Sequence, residues 1–332
     1  MTGSEFLDRD PIELQERIRH YCGNHPGCHL SIGGSAYLAI KSIKSLRFAI
    51  SAGFVGVAGN PQQLEKISGW DAGLDLELDY LKSQPWVFTS SGQPGRALVA
   101  LHKGKRQWIE ISSGANEELW ERISGRESEG KDFTDYLASA RWVHLTSLRD
   151  FNQFLHFCER LAQAKLRNPN LKVSIDPGYE YTFKHAHDLL RTLKVADFVF
   201  LNQSEFRNLS KEKTFPIRPD LQRLPGPLSA GSQTLVVKNE CYNELLQAHS
   251  DGFVSNRYHH RKVSQPIDDT GAGDIFAGGF IAGMLSPRFN GQLSASVLLG
   301  ARLAATKLKS KGFPYDAFHD IAAQLGSVPA TV

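Results

Sequence analysis

Cysteine is scarce in this chain: Cys22, Cys28, Cys158 and Cys241 are the only four in 332 residues. They are too few and too scattered for a disulfide framework, which makes a reducing, cytoplasmic setting the expectation. No run of about 18 apolar residues occurs, and the N-terminus lacks the charged-then-apolar order of a signal peptide. Neither a membrane span nor export is expected. An excess of one charge is also missing, because 38 Lys and Arg stand against 35 Asp and Glu, a net +3. The basic residues are spread out, and this excludes an extended surface for nucleic acid or lipid. His259-His260-Arg261-Lys262, the densest basic cluster, reads as a solvated strand end. No Gly-x-Gly-x-x-Gly follows a first strand, so a dehydrogenase has little behind it. The stretch from Gly125 to Asp132 nearly spells a phosphate-binding P-loop and fails. Asp132 stands where Ser or Thr is needed, Glu127 and Glu129 would repel phosphates, and a surface loop is the reading.

The length allows one large α/β domain or two ordinary ones. Gly3-Ser4-Glu5-Phe6 looks like a translated cloning scar and is set aside from fold reasoning. Residues 10–21 open on Asp-Pro and repeat Leu14, Ile18 and Tyr21 at helical spacing, which predicts a short amphipathic helix. Then His20, Cys22, His25, Cys28 and His29 crowd together. Zinc could use such residues, but the two cysteines are separated by more than the usual two to four residues and no second pair follows.

From Ala138 onward strands and helices alternate. Strands are expected at 142–145, 171–175, 198–201 and 234–237, with helices at 152–166, 184–193 and 204–209 between them. Such units imply a parallel sheet covered by helices on both faces, with ligands at the carboxyl ends of strands. Asp176, Asn202 and Asp274 fall at such ends, the last after a short strand around Val263. Ahead of this, 48–60 reads as two short buried strands around a turn. Strands at 86–90, 96–101 and 106–111, with Lys103-Gly104-Lys105 as a hairpin turn, suggest a small β lid. Two helices, 292–309 and 315–325, close the chain.

The most informative stretch runs from Asp268 to Phe280, Asp-Asp-Thr-Gly-Ala-Gly-Asp-Ile-Phe-Ala-Gly-Gly-Phe. Gly271, Ala272 and Gly273 carry almost no side chain, so their N–H groups can approach a ligand, and the helix behind them adds unpaired donors and a positive dipole end. That suits an anion, above all a phosphate. Asp274 would be repelled by a bound phosphate, so chemistry on a neighbouring hydroxyl explains it better. A glycine-rich helix start packed on a sheet, with Asp274 as a helix-dipole carboxylate, accounts for the same residues.

The stretch resembles the C-terminal signature of the ribokinase-like (PfkB) carbohydrate kinases, Asp-Thr-x-Gly-Ala-Gly-Asp. Asp268 stands at the first aspartate, Gly271 to Gly273 at the anion hole and Asp274 at the catalytic base, while Asp269 replaces the usual small residue. Gly33, Gly34, Ser35 and Ala36 are similar to the glycine pair that opens the sugar pocket, although Leu38 stands where asparagine is typical. Asn116, in Gly-Ala-Asn, resembles the return from the lid, and Asp176-Pro177 the family's Asp-Pro turn. Asn202-Gln203-Ser204-Glu205 matches Asn-x-x-Glu, whose glutamate helps hold magnesium, largely through water. A helix cap with Asn202 at its head explains that spacing too. Asp268 and Thr270 lie where some relatives bind a monovalent cation such as potassium. The residues 238–243 lack the glycines that relatives place near the nucleotide, and no first strand ending in an acceptor-binding aspartate is read, although Asp8 or Asp10 could substitute.

The resemblance implies a three-layer α/β/α fold with a mostly parallel central sheet and a small β lid. It divides the chain into an extension, 1–30, and a kinase domain, 31–332, with the lid at about 85–116. It implies an ATP- and magnesium-dependent kinase of a sugar or sugar-like alcohol, with a homodimer through the lid as an option. The alternatives are a nucleoside kinase, or a kinase-like fold kept as a binding or regulatory module.

Overall fold

Among the described residues the first element is Ser4–Phe6 (β1), which pairs parallel with Lys105–Ser112 (β5). The composition of these three residues gives no strand signal; the open edge of β5 recruits them. Residues described by this computed structural model are 4–6, 9–24, 33–60, 84–146, 148, 150–211, 233–249 and 252–326. Asp8, His25, Cys28 and His29 lie outside the described residues. The chain divides into two units: Met1–Glu129, Val263–Gln292 and Arg302–Val332 form one, Gly130–Lys262 and Leu293–Ala301 the other.

In the first unit, helix α1 (Pro11–Asn24) starts where Asp10 accepts the N–H groups of Ile12 and Glu13 at 2.9 and 3.0 Å. Its Leu14 and Ile18 are buried, each worth about 1.5–3 kcal/mol. The helix packs on β5 and on Arg96–His102 (β4), its antiparallel partner. Arg17 ties the two together through a 2.9 Å bridge to the buried Glu110 of β5. The hairpin turn falls at the expected place, with Lys103 and Gly104 at φ of 51° and 70°. Helix α2 (Ser35–Ser45) follows Gly34, whose φ of 102° suits glycine.

Two expectations fail in this unit. Residues 48–60 contain one strand, Val55–Ala58 (β2), because Phe48–Phe54 is irregular and packs Ala52 and Phe54 on Tyr37 and Ile40 of α2 without strand pairing. The expected first lid strand, Trp86–Thr89 (β3), pairs parallel with β2 and not with β4. The sheet next to the hairpin is therefore β1-β5-β4. The failed P-loop is also not a loop throughout, since helix α3 (Leu119–Ser128) takes in Gly125 to Ser128.

The second unit opens with α4 (Phe133–Ala138), capped by Asp132, and then alternates strand and helix, with two helices where a single one is expected at 184–193. The order is β6 (Trp142–Thr146), α5 (Phe151–Arg167), β7 (Lys172–Asp176), α6 (Gly178–Lys184), α7 (Ala186–Thr192), β8 (Phe198–Asn202), α8 (Gln203–Leu209) and β9 (Thr234–Lys238). These four strands are parallel. Val173, Ile175, Val199, Phe200, Leu201 and Val236 are fully buried, which is what a sheet covered on both faces needs. Two further strands, β10 (Tyr242–His249) and β11 (Gly252–His259), extend the sheet as an antiparallel hairpin; the sequence reading has only the strand end at His259. Val263 lies beyond β11 and outside any strand.

The last helices are α9 (Ala272–Leu285), α10 (Leu293–Leu308) and α11 (Tyr315–Gly326). In the first unit α9 packs closely on α2. A Cβ at Gly278 would stand 2.0 Å from Ser42 Oγ and 2.4 Å from the Ala39 carbonyl oxygen, so only glycine permits this crossing. No helix of the described residues is long and apolar enough to cross a membrane.

Candidate active site

The crossing of α2 and α9 brings the start of α2 beside the glycine turn. Gly271 caps α9 in the left-handed region, φ 76° and ψ 2°, a conformation that costs other residues about 1–2 kcal/mol. A Cβ there would lie 2.5 Å from Leu38 Cδ1 and 3.8 Å from Asp274 Oδ2. Leu38, where asparagine is typical, thus lies directly against the turn.

The helix start leaves donors available, as helix N-termini do. The N–H groups of Gly271 and Gly273 have no hydrogen-bond partner among the described residues, and that of Ala272 makes only a long 3.3 Å bond to the Asp269 carbonyl oxygen. Ile275 N–H closes the first helical turn on Gly271 at 3.0 Å. Asp274 stands half-buried in that turn, ahead of the fully apolar run Ile275–Phe280. Available amide donors and one carboxylate therefore share a single helix end.

Both neighbouring carboxylates hold the turn. Asp268 Oδ1 accepts Thr270 N–H at 2.9 Å, while its Oδ2 meets Lys307 Nζ at 2.6 Å. The same ammonium lies 3.3 Å from the Asp268 carbonyl oxygen. Asp269 accepts the Arg106 N–H at 3.0 Å, and its own N–H donates to the Gly104 carbonyl at 3.1 Å. Burial raises the Asp269 carboxyl above the usual range, against the pull of the Arg106 N–H. At the expected potassium position, the Lys307 charge already faces two of the Asp268 oxygens, Oδ2 and the main-chain carbonyl.

Gly33 and Gly34 are exposed at the head of α2, and Ser35 begins it. Asn116 is exposed in the 3-10 turn Gly114–Glu118, its side chain donating to the Ser113 carbonyl at 2.9 Å.

In the second unit, Thr146, Asp176, Asn202 and Lys238 end four adjacent parallel strands. Asn202 and Glu205 form a full capping box: Asn202 Oδ1 accepts the N–H groups of Ser204 and Glu205 at 2.8 and 3.0 Å, and Glu205 Oε2 accepts Asn202 N–H at 2.7 Å. The cap and the magnesium reading are compatible, because a carboxylate already bonded this way fits a metal best through water, acting by its charge. Asp176 is buried and paired with Lys238 Nζ at 2.6 Å across Phe200 of β8. Below it on the same sheet face, Ser174 Oγ lies 2.8 Å from both Trp142 Nε1 and His144 Nδ1.

Sequence reasoning missed Lys238, His144 and Lys307. For Lys307 a signal existed: it follows Leu303 by one helical turn on the buried stripe of α10, where a lysine needs a partner.

The architecture defines the class first. Known structures with this fold include adenosine kinase from Anopheles gambiae in complex with P1,P4-di(adenosine-5) tetraphosphate, with a TM-score of 0.71 and 15% identity over 100% of this chain and 91% of that one. Ribokinase from Giardia lamblia gives 0.65 and 21% over 97% of each chain. A nucleoside kinase from Burkholderia thailandensis in complex with inosine gives 0.63 and 17% over 91% and 89%. The chain thus has the ribokinase-like α/β/α fold. The family described as pfkB family carbohydrate kinase matches residues 9–316, and the chain belongs to that family of phosphotransferases with an alcohol acceptor. The match takes in α1, which the sequence reading places ahead of the kinase domain. No curated protein sequence matches the chain.

Proposed function

We propose that this protein is an ATP-dependent kinase of a sugar or nucleoside, with Asp274 as the catalytic base. The observation that carries the reading is the left-handed Gly271 turn, which puts unpartnered amide donors and Asp274 at one helix end.

The acceptor hydroxyl would be oriented by Asp274 and give it its proton as oxygen attacks the γ-phosphorus. The bond to the bridging oxygen breaks, and its electron pair leaves on ADP. Gly271, Ala272 and Gly273 would take up charge on the moving phosphoryl group through main-chain N–H groups. Asn202 and Glu205 would hold magnesium through water, and the ion would neutralise the remaining phosphate charge. Gly33, Gly34, Ser35, Asn116 and Asp176 are the candidate acceptor contacts, and Asp268 and Thr270 shape the nucleotide side of the turn. A strong base is unnecessary, because nucleophile bonding lags in such transition states. A homodimer through the hairpin sheet belongs to the same reading; α1 already covers its Glu110 face. The scarcity of cysteine supports a cytoplasmic setting.

A second reading, a binding or regulatory module, is favoured by Leu38 packed against Gly271 and by the glycine-free turn after Lys238. Calorimetry with ATP and magnesium, followed by a transfer screen over sugars and nucleosides, separates the two. Binding without transfer to any acceptor selects the module. For the kinase, Asp274→Asn is expected to lower turnover at least about 100-fold with nucleotide affinity nearly kept; comparable turnover removes Asp274 from its role.

A further inference from the structure

Lys307 is only 4% exposed, and it sits near the C-terminal end of α10. Its ammonium bonds Asp268 twice, at the carboxylate (2.6 Å) and at the main-chain carbonyl (3.3 Å). One residue along, Ile267 N–H donates to the Leu308 carbonyl at 2.7 Å. The end of α10 is therefore stitched to the strand of chain that leads into the glycine turn at two consecutive residues.

A charged oxygen and a carbonyl dipole converging on one positive centre form the kind of oxygen set that hard cations use. Lys307 supplies the same charge on a tether, with three donors and no oxygen of its own. Burying an ammonium is costly unless it is paired and hydrogen-bonded, and here both conditions are met. Asp268 in turn uses its other oxygen on Thr270 N–H, so the ammonium position is transmitted to the residue immediately before Gly271.

We infer that Lys307 is a positioning residue, a built-in cation that holds the Asp268–Gly271 turn in its donor-presenting form and makes phosphoryl transfer independent of monovalent metal ions. The inference rests on the kinase reading and deepens it. Asp274 and the amides do the chemistry, and Lys307 acts through Asp268.

The test compares potassium, sodium and tetramethylammonium chlorides at one ionic strength, using the full chain. Turnover of MgATP with adenosine, inosine and D-ribose, and the melting temperature without substrates, are both read. The unaltered protein should show turnover equal within about twofold in all three salts and no potassium-specific rise in melting temperature, since the site is already filled. Lys307→Ala opens the space of the ammonium. It should lose about 10-fold or more in tetramethylammonium and recover part of this in potassium, with a melting temperature that potassium raises. Lys307→Met removes the charge but keeps the bulk, and should lose turnover without recovery. Activation of the unaltered protein by potassium would overturn the inference without any variant having to fold. So would a Lys307→Ala protein whose loss is the same in every salt, because that marks a merely structural lysine. If the unaltered protein transfers phosphate to nothing, the kinase reading fails, and the melting arm still decides the role of Lys307.

Discussion

The Asp269 carboxylate accepts the main-chain N–H of Arg106, 163 residues earlier in the chain, at 3.0 Å. With the Gly104 carbonyl receiving Asp269 N–H, this fastens the tip of the β4–β5 hairpin to the turn that precedes Gly271. A Cβ on Gly104 would stand 1.7 Å from the Pro266 carbonyl oxygen, so the approach is as close as backbone allows. Asp269, which replaces the usual small residue of the signature, is the one that makes this link.

Its variants should divide by chemistry. Asp269→Ala leaves the Arg106 N–H without its acceptor, and an unsatisfied, partly buried donor costs about 1–3 kcal/mol. Asp269→Asn keeps an acceptor oxygen and removes a charge that burial already disfavours. The expected outcome is a clear fall in the chemical denaturation midpoint for Ala and little change for Asn. Equal losses in the two variants would show that charge, and not the hydrogen bond, is what the position needs.

At Gly271 two penalties can be separated. Gly271→Ala must hold φ near 76° and also displace Leu38 Cδ1 from 2.5 Å. The backbone part is about 1–2 kcal/mol. Leu38→Ala in the same chain removes the steric part and leaves the backbone part, so a double-mutant cycle by denaturant unfolding should give a positive recovery that stops short of the original stability. Additive losses would mean that Leu38 does not press on the turn.

The parallel alternation, the hairpin turn and the glycine turn at a helix start are legible in the sequence because each rests on local rules: apolar runs between helices, a left-handed Gly104, bare amides at Gly271 to Gly273. What was hidden depends on distant partners. Strand β1 exists only because β5 offers an edge, and nothing in Ser-Glu-Phe announces it. The hairpin β10–β11 is missed because Tyr242–His249 mixes polar and apolar residues without clean alternation, its buried Asn243 and Glu244 breaking the pattern. Trp86–Thr89 has a strand's composition, which cannot say whether β2 or β4 is its neighbour. Of the candidate residues, Asp274 in the first unit and Asn202-x-x-Glu205 in the second could be found by spacing. The pairs Lys307–Asp268, Lys238–Asp176 and His144–Ser174 could not, since 39, 62 and 30 residues separate their members.

His144 supplies a pH dependence whose sign can be worked out. Its Nδ1 lies 2.8 Å from Ser174 Oγ, and its buried Nε2 has no hydrogen-bond partner. A second ring proton must disturb the first contact or charge the second nitrogen in an unpaired setting. Desolvation by burial accordingly lowers its pKa from 6.5 to about 4, with Asp176 pulling the other way and Lys238 adding to the fall. Above about pH 6.5 the ring is neutral in both the folded and unfolded chain and contributes no slope. Between 6.5 and 4 the unfolded chain takes up a proton that the folded chain refuses, so stability falls as pH falls, by up to about 3 kcal/mol. Below 4 both forms are charged and this contribution is flat. Denaturation midpoints collected across that window should therefore decline on acidification, with the His144 ring signals in an NMR titration still those of the neutral form at pH 5. Ring signals that move with a midpoint near 6.5 would show that His144 is solvated, and the slope would then have to come from other groups.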